Sequence, residues 1–262
     1  MQGATVPTQV AAAGTKEHLF MGRRVFAELT GETSMTSLLF LGITGRLPEE
    51  DEVGVLDAIA STWTVADPRV WPLKVARLLA SHGNALSGLG GGFLALSCRF
   101  IGPWRNLPAT SRLLVEVNEA TAHGEDFNEA VHALLAARRY LPGFGVPFRA
   151  EDERLAPLRR CLERTGRQAH HYFSLSERLA SWVMERRQLG PNAALSVAAA
   201  LLDVGVGAAS QGAMGAALMV HMFFANACEG AEQRAEVLKR LPKETVRYIG
   251  KAPRLSPRAQ ST

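Results

Sequence analysis

The sequence predicts an all-α fold. Apolar residues recur at three- and four-residue spacing along nearly the whole chain, while alternating stretches rich in Val, Ile and Thr are nearly absent. A hydrophobic share of 47% against 21% charged residues is a globular balance. The chain of 262 residues can bury a sizeable core in one large or two modest domains.

Taken in order, residues 1–14 read as a loose terminus without the basic and apolar runs of a signal peptide. The first helix is expected over 17–29, followed by helices over 34–41, 50–61 and 74–81. The segment Leu47-Pro48-Glu49-Glu50-Asp51 suits a helix start, with proline in the first turn and acids at the positive end of the macrodipole. The run Gly88-Leu89-Gly90-Gly91-Gly92 is not followed by Lys-Ser/Thr, nor is a strand expected before it, so the phosphate-loop pattern fails. Glycines there let two helices, or a dimer mate, approach closely. Residues 102–108 read as a linker.

Further helices are expected over 110–123, 126–139, 152–165, 170–187, 192–204, 212–228 and 232–241. The stretch 213–228 is almost wholly apolar but carries His221 and Asn226. It is shorter than the ~20 residues a membrane span needs, so it reads as a buried helix near a dimer contact. The domain organisation expected is a large helical domain of residues 1–106 plus 212–262, with a smaller helical domain, 107–211, inserted into it.

A net charge of +4, with several basic residues in the tail after Tyr248, argues against nucleic acid as a partner of the folded body. Cys98, Cys161 and Cys228 are far apart, without a CxxC pair, which excludes a disulfide framework and a thiolate zinc site. A cytoplasmic protein is expected. His170-His171 looks like a metal pair, but adjacent helical residues diverge by about 100°. No third ligand follows at helical spacing, and no metal is expected.

Five local words, in order, carry a resemblance. Leu39-Phe40-Leu41-Gly42-Ile43-Thr44-Gly45-Arg46-Leu47-Pro48 is similar to a helix end written LL-x-GRLP, and Ala76-Arg77-Leu78-Leu79-Ala80-Ser81 to the helix after a first active-site loop. Leu141-Pro142-Gly143-Phe144-Gly145 is similar to PGFGH, Pro191-Asn192 to the start of PNVD, and Leu241-Pro242 with Arg247-Tyr248-Ile249-Gly250 to a closing RP…YVG segment. Together they resemble the citrate synthase superfamily, above all its compact members related to citryl-CoA lyases and the lyase module of ATP-citrate lyase. The resemblance implies a citrate synthase-like all-α homodimer. It also implies chemistry that joins or splits a carbon–carbon bond between an acyl-CoA and a 2-oxo acid such as oxaloacetate, with a coenzyme A thioester as cosubstrate and no covalently bound cofactor.

That chemistry needs a carboxylate base and histidines aimed at the developing oxyanion. The positions that the resemblance assigns to these groups hold Pro68 (in Ala66-Asp67-Pro68-Arg69), Ile101 (near the GGPLHGG turn), Val146 and Ala194. None of the four can exchange a proton or donate from its side chain. For substrate binding, the resemblance leaves Arg154 in Asp152-Glu153-Arg154, His221 and Arg240. For coenzyme A it leaves the backbone of Gly143, Phe144 and Gly145. The arginine pairs Arg23-Arg24, Arg138-Arg139 and Arg186-Arg187 read as solvated faces, or as forks for the coenzyme's phosphates. His82 reads as a helix-end histidine, and Asp203 as a paired structural acid rather than a base.

The expected function is therefore binding of oxaloacetate or a similar small carboxylate without ordinary citrate synthase catalysis. The alternatives are a divergent citrate synthase or citryl-CoA lyase using replacement residues, and a non-catalytic partner forming mixed dimers with an active relative.

Overall fold

In a computed structural model describing residues 6–96, 102–122, 126–146, 151–235, 243–245 and 247–252, the chain is helical almost throughout. The α-helices of the described residues are α1 (Met35–Thr44), α2 (Glu50–Thr62), α3 (Trp71–His82), α4 (Ala85–Ala95), α5 (Pro103–Thr121), α6 (Phe127–Leu135), α7 (Leu155–Arg164), α8 (His171–Arg187), α9 (Ala193–Asp203), α10 (Gln211–Leu218) and α11 (Val220–Glu232). Their starts follow local chemistry. Ser34 caps α1 through Ser37 N–H, Asp126 caps α6 through Asn128 and Glu129, and Glu49 with Glu52 forms a capping box at α2. None of these helices is long and apolar enough to cross a membrane.

Five expectations are corrected. Residues 17–29 are not a helix: β1 (Ala11–Ala13), β2 (His18–Phe20) and β3 (Arg23–Arg24) form an antiparallel sheet, followed by one π-helical turn, Val25–Leu29. Met21 and Gly22 take positive φ (51° and 80°) between β2 and β3, reversing the chain where a helix would have to continue. The Glu17 carboxylate accepts from the backbone N–H groups of Phe26 and Ala27 at the start of the π turn. Because β1 pairs with β2, residues 11–13 are not loose either.

Residues 102–108 are not a linker but the first turns of α5, with Pro103 at its first position, where a missing N–H removes nothing. The apolar stretch 213–228 is broken at Met219 into α10 and α11, and its His221 and Phe224 are exposed. Finally, residues 233–235 do not continue as a helix; 236–242 lie outside the described residues, as do Ile101, Arg240, Cys98 and the Leu241-Pro242 word.

Two apolar clusters hold these helices together. The larger joins Phe40, Leu56 and Ile59 of α1 and α2 to Leu113 and Leu114 of α5, Leu179 and Val183 of α8, and the inward face of α9. The smaller joins Leu73 and Ala76 of α3 to Leu96, Met222 and Phe223. Segment 107–211 thus shares its core with α1 and α2. Arg46, beyond the end of α1, grips Glu52 through both terminal nitrogens (2.7 and 2.8 Å) and donates to Val204 O (2.7 Å), tying the α1–α2 turn to the end of α9.

Close helix approach depends on glycine, as the run at 88–92 predicts. A methyl group on Gly88 would lie 2.5 Å from Ala76 O and 2.6 Å from Ala80 Cβ, and one on Gly92 2.6 Å from Ala76 Cβ. Gly88→Ala should therefore destabilise the fold by roughly 1–3 kcal/mol, because backbone cannot yield to the new atom. Gly54→Ala, where the nearest atom is Thr165 Cγ2 at 3.7 Å, should be neutral or stabilise by up to ~1 kcal/mol. Urea unfolding of the two variants checks the pair.

Candidate functional site

The site is built on a loop held against a helix start. Gly143 and Gly145 adopt φ of 84° and 83°, and a methyl group at Gly143 would lie 2.7 Å from Thr110 Cγ2 of α5. Gly145 N–H donates to Gly190 O (2.8 Å) and Asn192 N–H to Gly143 O (2.9 Å), while Asn192 Nδ2 donates to Gly145 O (3.0 Å). Asn192 also caps α9, its Oδ1 accepting from Ala194 N–H (3.0 Å).

Behind this wall, Asp152 accepts from Ala193 N–H (2.8 Å) and from Arg154 Nε and Nη2 (2.7 Å each). Its side chain is 1% exposed, against 35% for Arg154. Burial pushes the Asp152 carboxyl up, but the Arg154 guanidinium and the Ala193 N–H outweigh it and hold the group below its ordinary value.

The facing wall is the first turn of α5. Gly102 (φ 122°) precedes it, placed where a methyl would lie 2.1 Å from Leu96 O. The turn has no acidic residue and no side-chain cap. Together with Trp63 and Met219, these elements enclose a cleft of about 950 Å³ whose lining includes Arg105, Asn106, Tyr140, Arg154 and Asn192 as polar residues. The remainder is predominantly apolar, with Leu107, Phe144, Val146 and Ala194 among its walls. Asp152 is the one carboxylate among the described lining residues, and it is already spent on Arg154 and α9. Among its described lining residues, guanidinium groups are available to an acid, and no carboxylate or histidine is left free to act as a general base.

The structure brings several of the residues singled out in the sequence together and leaves others aside. Val146, Ala194, Arg154, Phe144 and Gly145 line the same cleft, and Gly143 lies in the loop behind it. Pro68 is exposed in the turn before α3 and is not among the lining residues. Beside it, the Arg69 fork lowers the Asp67 carboxyl to about 2, which leaves a fully ionised surface acid rather than a base.

His221 is also not among the lining residues; its Nε2 meets Thr64 Oγ1 at 2.7 Å. His82 is exposed at the end of α3, and His171 Nε2 meets Asn118 Oδ1. Asp203 is structural, accepting from the N–H groups of Tyr172 and Phe173 at the start of α8 (2.8 Å each). Burial raises its carboxyl above the ordinary value.

Arg105 was missed, although the sequence held a signal for it. Aligning Gly102-Pro103 with the Gly-Pro of GGPLHGG puts the histidine letter on Arg105, four residues beyond Ile101. Trp63, Tyr140 and Met219 reach the cleft only through packing, and no local word marks them.

The fold is that of the citrate synthase superfamily. The chain is similar to citryl-CoA lyase from Hydrogenobacter thermophilus over 99% of its own length and 100% of that chain, with a TM-score of 0.76 and 20% identity. It is similar to ATP citrate lyase from Methanothrix soehngenii, solved in complex with citrate and coenzyme A (TM-score 0.72, 14% identity). There it covers 96% of its own length but only 43% of the larger protein. Citrate synthase from Pyrobaculum aerophilum matches at a TM-score of 0.60 and 17% identity, over 85% of this chain and 55% of that one. At these identities the fold is what is shared. No protein-family model matches the sequence, and neither does any curated protein.

The Asp152 clamp generates a prediction. Asp152→Asn should cost roughly 1.5–3 kcal/mol at pH 7, the range for a hydrogen bond to a charged group. Because the folded carboxyl titrates below its unfolded value of about 3.9, the stabilisation is complete above that value and is lost as pH falls through the folded one. The gap between wild type and variant should therefore narrow in urea titrations run at pH 3 rather than pH 7.

Proposed function

We propose that this protein uses a citrate synthase scaffold to bind oxaloacetate or a similar small carboxylate, and does not carry out ordinary citrate synthase condensation. The observation that supports this is the make-up of the cleft: among its described lining residues guanidinium groups are present, and the one carboxylate is locked in an ion pair. Losing a general acid or base typically lowers the rate ~100- to 10,000-fold. No thiol release should be measurable with acetyl-CoA and oxaloacetate, and release at the rate of a working synthase would overturn the reading. Binding is checked by thermal shift, since a ligand that binds only the folded state raises the melting temperature. Oxaloacetate should raise it, and His82→Ala, remote from the cleft, should leave that shift intact.

A second reading, a divergent lyase or synthase with replacement residues and a coenzyme A thioester as cosubstrate, draws support from the full-length likeness to citryl-CoA lyase. Cleavage of synthetic citryl-CoA to acetyl-CoA and oxaloacetate would decide for it.

The protein also pairs with a second copy in this proposal. Leu86 and Leu94, on α4, are 75% and 79% exposed, and Trp71, Leu79 and Phe224 on the neighbouring helices are partly exposed as well. A two-fold axis sets such a patch against itself, and a mixed dimer with an active relative would use the same face. Sedimentation should give a dimer for the wild type and a monomer for the Leu86→Arg/Leu94→Arg variant.

A further inference from the structure

Resting on the proposal that the cleft holds a carboxylate, we infer that its anchor is Arg105. We further infer that the acid it takes carries an apolar body rather than a second acidic group.

The two arginines of the cleft are unequally available. Arg154 spends Nε and Nη2 on Asp152, so two of its three nitrogens face the protein. Arg105 is exposed, and among the described residues it forms no ion pair. It also sits at an unfavourable place for a cation: the first turn of α5, a helix of 19 residues, has no acid and no capping side chain. The positive end of a helix macrodipole disfavours a guanidinium and favours an anion. A carboxylate bound there satisfies the fork and the dipole together.

The surroundings select what is attached to that carboxylate. Gly215 brings the first turns of α5 against Trp63: a methyl on Gly215 would lie 2.6 Å from Pro103 Cβ, 2.7 Å from Leu107 Cδ1 and 3.1 Å from the Trp63 ring. The indole packs on the Pro103 and Leu107 side of α5 and lines the same cleft as Arg105, and Phe144, Val146, Ala194 and Met219 continue the apolar lining. Among the described lining residues, the further cation open to a second carboxylate is Arg154, with two of its three nitrogens already taken by Asp152. An alkyl or aryl group would instead replace water along the wall, at about 25 cal/mol per Å² of apolar area.

The test compares two acids that share a 2-oxo acid head and differ in the tail, 4-methyl-2-oxopentanoate and oxaloacetate, by calorimetric titration of the full chain. The branched acid should bind at least about tenfold more tightly, and Arg105→Ala should weaken it by about tenfold or more. Ala194→Asp, which adds a negative charge to the wall, should weaken both acids. Tighter binding of oxaloacetate overturns this inference and leaves the carboxylate-binding proposal standing. Branched-acid binding that is unchanged in Arg105→Ala overturns the anchor. Binding of neither acid overturns the inference and the proposal beneath it.

Discussion

The carboxylate of Asp152 is the constraint around which the site is arranged. With a side chain 1% exposed, it has to be ionised and fully partnered, and it joins the 151–154 turn to the first N–H of α9 while fixing Arg154. Asn192, one residue before Ala193, then fastens the 143–146 loop through backbone and side-chain bonds to Gly143 and Gly145. One wall of the cleft is thus a chain of hydrogen bonds that starts at a buried charge. A break at Asp152 would leave Arg154 unsupported and the α9 start with an orphan donor, so binding chemistry and local stability share one group.

The same clamp decides what the cleft can do. A carboxylate that is to remove a proton needs a value raised towards working pH, as burial alone would produce. Here the guanidinium and the backbone donor outweigh burial and pull it the other way. Asp203 shows the opposite balance: its two backbone donors fail to offset burial. Yet Asp203 faces the start of α8 rather than the cleft, and both of those N–H groups occupy it. The raised acid lies away from the cleft, and the acid within it is lowered.

Much of the architecture was legible because helical periodicity is a long-range, redundant signal. Most helices from α1 to α9 lie within a few residues of their expected bounds, and Ser34, Asp126 and Asn192 cap as their types suggest. The failures share a cause. Over 17–29 the spacing of Leu, Phe and Val fits a helix, but two positive-φ residues turn the chain at 21–22, and local backbone geometry overrides periodicity. At 102–108 two prolines suggested a linker, although the first position of a helix accepts Pro103 without loss. At 219 an unbroken apolar run conceals a helix break that follows from tertiary packing, since α10 closes on α5 through Gly212 and Gly215 while α11 packs on α3 and α4. In the site, the loop words were legible as words; which side chains meet across the cleft was not, because Trp63, Arg105, Tyr140 and Met219 come from four separate segments.

The residues of the cleft divide by which of their atoms do the work. Gly143, Gly145, Asn192 and Asp152 act through backbone conformation or through bonds to backbone, so replacing them would dismantle the wall itself. Val146 and Ala194 contribute only side chains to the cleft. Ala194 N–H still donates to Asn192 Oδ1 whatever is attached to its Cα, and an alanine there keeps the helix start intact. Side chains at such positions can therefore change with little structural cost, and apolar ones bury surface that a charged group would have to keep hydrated. The atoms that hold the wall are thus a different set from the side chains that face the cleft, so the two can change independently.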